Sequence, residues 1–296
     1  MDTGAGPDPR PAGALRVPCL PGAPSWVSLL ADDPAAAQDF YGPLLGWSFE
    51  APLEQARGYV VAQAQGVQVA GIGPLPAQGR FSATWTTFFG VVDVDAAVAR
   101  VRERMGRVAA GPLTSWAGRI ALASDPDGAV FGLWEGPVGP ARDLPVPGAP
   151  TWAELSTDAF AAALFYGDVL DWAAHDPDHL DMAWEHDRVV LRVDGKETAA
   201  LGTADERTDG PPVRPHWHLS FAVDDLHRAL VRAVRLGAVR VGAPVSTPYG
   251  DTAELQDPEG APFSLVGSGR TGGGQVGSGQ ADTRSEANRL AGRASP

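Results

Sequence analysis

Three side chains in the second half of the chain have the types and spacing for acid–base or metal chemistry: Glu154, His216 and His218. Two histidines separated by one residue in a strand leave it on the same face, because side chains alternate along extended backbone. A carboxylate near imidazoles suits proton transfer, which makes Glu154 the candidate catalytic residue. The same three donors are an alternative divalent-metal site, since borderline cations accept both imidazole and carboxylate. A second donor-rich stretch, His175 to His186, holds His179, Asp181 and Glu185. Its spacings match no ligand pattern, so it reads as a solvated hairpin turn. Cys19 is the single cysteine, which excludes a disulfide framework and a thiolate metal site. No Ser–His–acid constellation and no Gly-rich phosphate loop is present, so hydrolase and nucleotide-binding readings have no support.

Nine tryptophans stand in the 296 residues, and Trp26, Trp85, Trp134, Trp152 and Trp184 fall at strand positions. Those that pack inward only fill the core; those that face a concave sheet would stack on a planar or cationic ligand. With Ser28, Glu154, His216 and His218, these five tryptophans form the candidate ligand-binding set. The formal charge of −13 repels phosphate backbones and suits a cationic partner, so nucleic acid is not expected. No apolar run reaches the roughly 18 residues of a membrane span, and the first twenty residues carry Pro, Gly and Asp in place of a secretory signal. A cytoplasmic protein without membrane partners is expected.

The elements that must position these residues come in two copies. Pro24-Ser25-Trp26-Val27-Ser28-Leu29 recurs as Pro150-Thr151-Trp152-Ala153-Glu154-Leu155, and Phe40-Tyr41-Gly42 with Leu45-Gly46-Trp47 recurs as Phe165-Tyr166-Gly167 with Leu170-Asp171-Trp172. Trp85 and Phe89-Gly90-Val91 match Trp217 and Phe221-Ala222-Val223, and Asp125-Pro126-Asp127-Gly128 matches Asp257-Pro258-Glu259-Gly260. The offsets are 125, 126 and 132, in one order, which identifies a duplication. Residues 23–136 and 149–267 are the two domains. A Pro-rich connector at 137–148 predicts that they fold separately, and the leader 1–22 and tail 268–296 read as disordered.

Within a copy, a strand at 26–31 precedes a helix capped by Asp33, opened by Pro34 and stopped by Gly46. Strands near 47–51, 58–63 and 67–72 follow. The pattern then restarts with a strand at 84–92, a helix over 95–105 and strands near 107–110, 119–124 and 129–134. The fold class is α+β: tandem domains, each of two βαβββ modules forming a half-open curved sheet with outer helices.

Asp33 followed by Phe40-Tyr41 and Leu45-Gly46-Trp47, repeated from Asp158, resembles the helix signature of the vicinal oxygen chelate superfamily, which includes glyoxalase, bleomycin-resistance and extradiol dioxygenase proteins. Phe221 to Leu226 is similar to its fifth strand, and the Asp-Pro-Asp/Glu-Gly turn to the one before its last strand. The resemblance covers 23–136 and 149–267 and points to a two-domain glyoxalase-like group. It implies a metal held by strands one, four, five and eight. The corresponding positions are Trp26 and Trp152, the stretches 67–71 and 198–201 without acid or His, Thr86 and His218, and Gly132 and Ser264. Tryptophan and glycine donate no lone pair. The expectation is therefore no cofactor and a metal-free small-molecule binder, sequestering an antibiotic or secondary metabolite that is cationic or aromatic. The alternative is a glyoxalase-like lyase or oxygenase with a rebuilt metal site in the second domain. A monomer or homodimer is expected.

Overall fold

The computed structural model describes residues 17–50, 58–75, 82–115, 118–138, 146–175, 178–185, 187–202, 215–247 and 250–267. In the first copy, β1 (Val17–Pro18) and β2 (Pro24–Ala31) lead to α1 (Pro34–Leu45), β3 (Trp47–Phe49), β4 (Val60–Ala64) and β5 (Val67–Pro74). Its second module is β6 (Thr84–Gly90), α2 (Val94–Glu103), β7 (Arg107–Ser115), β8 (Gly118–Ser124) and β9 (Val130–Glu135), followed by β10 (Pro137–Val138). The second copy runs β11 (Pro150–Ser156), α3 (Ala159–Val169), β12 (Leu180–Glu185), β13 (Arg188–Val193) and β14 (Lys196–Gly202). It ends with β15 (Trp217–Val223), α4 (Leu226–Arg235), β16 (Val239–Thr247), β17 (Gly250–Gln256) and β18 (Pro262–Gly267).

The helices form where the local chemistry directs. The Asp33 carboxylate accepts from the amides of Ala35 and Ala36, Pro34 supplies a fixed φ where no donor is needed, and Gly46 closes α1 at φ 71°. Ala37, Phe40, Tyr41, Leu44 and Leu45 recur at helical spacing and are its buried face. Pro43 removes one donor near the end of α1, and Arg232 of α4 donates to its carbonyl at 3.0 Å. The second helix starts at Val94, one residue before the sequence expectation, because the Asp93 carboxylate accepts from the amides of Asp95 and Ala96. The seventh strand continues past Ala110 to Ser115 by shifting register against β8.

Each copy builds one eight-stranded mixed sheet, in the order β3-β4-β5-β2-β6-β9-β8-β7 and β12-β13-β14-β11-β15-β18-β17-β16. The strands opening the two modules, β2 and β6, pair antiparallel at the centre, so the modules join edge to edge. One face of each sheet carries the helices. There Leu29, Ile72, Phe89, Phe131, Leu155, Phe221 and Phe263 belong to a single buried cluster spanning both copies.

That continuity corrects the expectation of separately folded domains. Trp47 packs on Phe221 with ring centroids 5.7 Å apart, and Phe89 packs on Trp217 at 5.0 Å. Two buried hydrogen-bond chains cross the seam as near copies of one another. Tyr41 donates to Asp257 Oδ2 at 3.0 Å and accepts from Trp85 Nε1 at 2.9 Å. Tyr166 donates to Asp125 Oδ2 at 3.1 Å and accepts from Trp217 Nε1 at 3.0 Å. The other oxygen of each aspartate holds its own turn, through the amides of Asp127 and Ala129 or of Glu259 and Ala261. Burial raises both carboxyls above their usual range and pushes both phenols well above 10.

The start of each copy is tied down by the other. Trp47 Nε1 donates to the carbonyl of Gly148 and Trp172 Nε1 to that of Gly22, both at 2.8 Å. The leader is thus ordered before residue 23: β1 pairs with β10, and Gly22 donates to Gly90 at 2.8 Å. Backbone pairing at a sheet end organises residues whose side chains carry no periodicity. The expected disorder of 1–16 and 268–296 lies outside the described residues.

Candidate functional site

The other face of each sheet is a cup, and register identifies its lining. In the first copy Ser28 stands opposite Gly71 and Thr86, and Gly132 stands opposite Phe88 and Leu122. In the second copy Glu154 stands opposite Ala200 and His218, and Ser264 stands opposite Ser220 and Glu254. Across four neighbouring strands the first cup therefore reads Ser28, Thr86, Gly132, Leu122, whereas the second reads Glu154, His218, Ser264, Glu254. One row contains no ionisable group; the other contains three.

The first cup is filled by its own side chains. Trp26, Val61, Phe88 and Trp134 form a buried cluster with Tyr59, Ile120 and Leu122 against it. Trp26 and Trp134 lie 6.2 Å apart, and Phe88 meets Trp134 edge to face at 6.1 Å. Two glycines make this filling fit. A Cβ at Gly132 would come within 2.1 Å of Phe88, and one at Gly71 within 1.7 Å of the Tyr59 hydroxyl. That hydroxyl accepts from Trp26 Nε1 at 2.9 Å and shares a hydrogen bond with Ser28 Oγ at 2.6 Å. Burial raises the Tyr59 phenol above its usual 10.

The second cup is polar and more open. Trp152 Nε1 donates to Glu154 Oε2 at 3.3 Å, and both side chains are half-buried. His218 Nε2 is 2.7 Å from Ser264 Oγ, and the His216 ring is 5.9 Å from that of His218. Burial first, then the neighbouring charge of His216, draws His218 down to about 4, so it is neutral at pH 7. Burial raises the Glu254 carboxyl, with His216 opposing the shift. Farther along the sheet Arg192 bridges Glu185 and Glu197, the latter at 2.7 Å.

The structure thus brings Trp152, Glu154, His216 and His218 together in one cup, and Trp26, Ser28 and Trp134 in the other. Trp85 and Trp184 do not reach a cup, which corrects their assignment. Strand alternation turns Trp85 to the helix side, where it bonds Tyr41. Trp184 pairs with Val189 on that same side and lies exposed against Phe160 of α3, 6.4 Å away. His179 makes an exposed pair with Asp194 at 2.9 Å, and His175 turns back onto the Leu170 carbonyl at 3.2 Å, so neither faces the second cup. His186 is outside the described residues. Sequence reading missed Glu254 and Tyr59. Glu254 alternates with the core residues Ala253 and Leu255, which was the available signal. Nothing local marked Tyr59, whose role depends on Gly71 and Gly73 of β5, the strand that pairs with β4.

The inherited ligand positions hold Trp26, Thr86 and Gly132 in one copy and Trp152, His218 and Ser264 in the other. Among the described residues no three His, Cys, Asp or Glu side chains converge as a cation site, Glu154, His216 and His218 included. Among the described residues, no helix is long and apolar enough to cross a membrane.

Comparison with known proteins agrees with this architecture. The family described as the Glyoxalase/Bleomycin resistance protein/Dioxygenase superfamily matches residues 23–133, and a glyoxalase-like domain family matches 153–266. The anthracycline biosynthesis protein DauV of Streptomyces sp. (strain C5) is 36% identical over 83% of this chain and 93% of its own length. DnrV of Streptomyces peucetius, another anthracycline biosynthesis protein, has the same identity and coverages. Among solved structures, a Mn(II)-bound glyoxalase from Novosphingobium aromaticivorans superimposes with a TM-score of 0.55 at 19% identity, covering 84% of this chain and 83% of that one. This last likeness concerns the fold.

Proposed function

The chain belongs to the glyoxalase/bleomycin resistance protein/dioxygenase superfamily, and on that premise we propose that it binds a small molecule in its second cup without a metal. Its role in this reading is to sequester an antibiotic or secondary metabolite. The observation that carries the reading is the contrast between the cups: aromatic side chains fill one, while the other presents Trp152, Glu154, His216, His218, Ser264 and Glu254 on a half-open face. An aromatic plane beside carboxylates suits a planar ring system carrying an amine, and the anthracycline-related relatives support that ligand class.

The test is calorimetric titration of the full chain with an anthracycline, before and after metal chelation. Saturable binding that survives chelation and weakens about 2- to 30-fold in Trp152→Ala is expected, the range given by one cation–π contact. Binding that needs an added divalent cation, or that ignores both Trp152→Ala and Glu154→Gln, would refute it.

A second reading, a glyoxalase-like lyase or an oxygenase, draws on the same row. A neutral His218 on Ser264 beside two carboxylates is a proton-transfer arrangement, with Glu154 or Glu254 as the base. For the lyase it predicts turnover of an α-oxoaldehyde adduct and loss of that turnover in Glu154→Gln or Glu254→Gln; an oxygenase would in addition need a group that activates dioxygen.

A further inference from the structure

We propose that the first cup is a recognition site for a phenolic ring, held closed by the chain's own Tyr59. This goes beyond the ligand assigned to the second cup and uses none of its residues. The Tyr59 side chain is bound as a ligand would be. Its ring lies over strand β5 where Gly71 and Gly73 have no side chain: a Cβ at Gly71 would fall 1.7 Å from the hydroxyl, and one at Gly73 2.7 Å from the ring. Its oxygen takes the Trp26 N–H at 2.9 Å and meets the Ser28 hydroxyl at 2.6 Å. One fixed donor and one hydroxyl that donates or accepts define a site for an oxygen bearing both a lone pair and a proton. Trp26, Phe88 and Trp134 supply the apolar wall.

Two further observations point to an external occupant. Thr86 Oγ and Trp134 Nε1 are buried, their residues 1% and 7% exposed, and have no hydrogen-bond partner among the described residues. Tyr59 leaves this polar capacity unused, and a ring with a second oxygen would meet it. The plug is also placed to move. Tyr59 precedes β4 rather than belonging to it, and the exposed Gly58 before it sits at φ 86°, a backbone region only glycine enters freely. The second copy shows the position is variable: by register Arg188 stands there, with its Cβ 2.6 Å from where Gly202 would place one.

The experiment titrates p-cresol and toluene into the full chain by calorimetry, in a Trp152→Ala background that keeps the second cup out of the readout. Tyr59→Ala binds p-cresol about tenfold or more tighter than the parent, and p-cresol about tenfold tighter than toluene, a ratio within reach of the two hydrogen bonds that Trp26 and Ser28 offer its oxygen. Adding Ser28→Ala to Tyr59→Ala narrows that ratio without closing it, because the Trp26 N–H still meets the p-cresol oxygen. Equal affinity for p-cresol and toluene, or a preference that Ser28→Ala leaves undiminished, overturns the proposal, as does absence of binding. If Tyr59→Ala does not fold, Tyr59→Phe takes its place. That plug keeps its volume but loses both hydrogen bonds, so p-cresol binds it tighter than the parent; unchanged affinity overturns the proposal. Failure here leaves the second-cup reading standing, because anthracycline binding is measured with Tyr59 intact.

Discussion

Removing one oxygen atom, in Tyr41→Phe, tests whether the two copies form one cooperative unit. Phe fills the same space, so no cavity is made and packing against Trp85 and Phe263 persists. What is lost is one charge-assisted bond to Asp257, worth about 1.5–3 kcal/mol, and one neutral bond from Trp85, worth about 1 kcal/mol. Tyr41, Trp85 and Asp257 are all under 5% exposed, so water does not replace either bond. The sum, about 3 kcal/mol, is a large part of the roughly 5–15 kcal/mol that stabilises a folded protein. Tyr166→Phe loses the matching pair of bonds, and the double variant loses about twice as much because the chains share no residue. Urea unfolding followed by Trp fluorescence and by far-UV circular dichroism measures both quantities. The expected result is a single coincident transition that shifts as a whole in each variant. The loss also shrinks as pH falls: burial already raises the Asp257 carboxyl, and once it is protonated the charge-assisted part is gone. A change under about 1 kcal/mol, or two transitions of which one stays fixed, would refute the account of the seam.

His218 gives a pH signature. Its folded pKa of about 4 lies below the ordinary 6.5, so the unfolded chain binds the extra proton, and the stabilisation present above pH 6.5 is lost as pH falls toward 4. The loss is at most about 3 kcal/mol, and it is absent from His218→Gln when both are unfolded by urea across that range. Glu259→Ala removes the carboxylate that takes the amides of Asp32 and Asp33 at 2.7 and 2.8 Å, at the N-terminus of α1 in the other copy. It costs about 1 kcal/mol, less in high salt, by denaturant midpoint. Gly132→Ala places a methyl on Phe88 and destabilises by about 1–3 kcal/mol, with a changed near-UV Trp spectrum; a neutral effect would show that the first cup is not packed as described.

The duplication, the module order and the sheet face of most candidate residues were legible because they depend on spacing along one strand or helix. Asp33, Pro34 and Gly46 mark α1 in the sequence as they do in space. What spacing does not contain is the partner. Phe40-Tyr41 and Asp-Pro-Glu-Gly were readable as signatures, but that Tyr41 reaches Asp257 across 216 positions is a fact of packing. Trp85 was misplaced for the same kind of reason: alternation assigns a strand two faces without saying which one the helices cover. Glu254 and Tyr59 were missed because their significance lies in register, beside Ser264 and over Gly71.

The seam contacts described above come from helix residues, turn residues and side chains on the helix side of the sheets, and the residues named as lining the concave faces are not among them. A protein built this way resembles two vessels joined base to base, whose contents are free to diverge while the join is conserved. A duplicated chain of this kind can alter the lining of one vessel while the join stays in place. The division of labour between Ser28-Thr86-Gly132-Leu122 and Glu154-His218-Ser264-Glu254 is the outcome that such freedom allows.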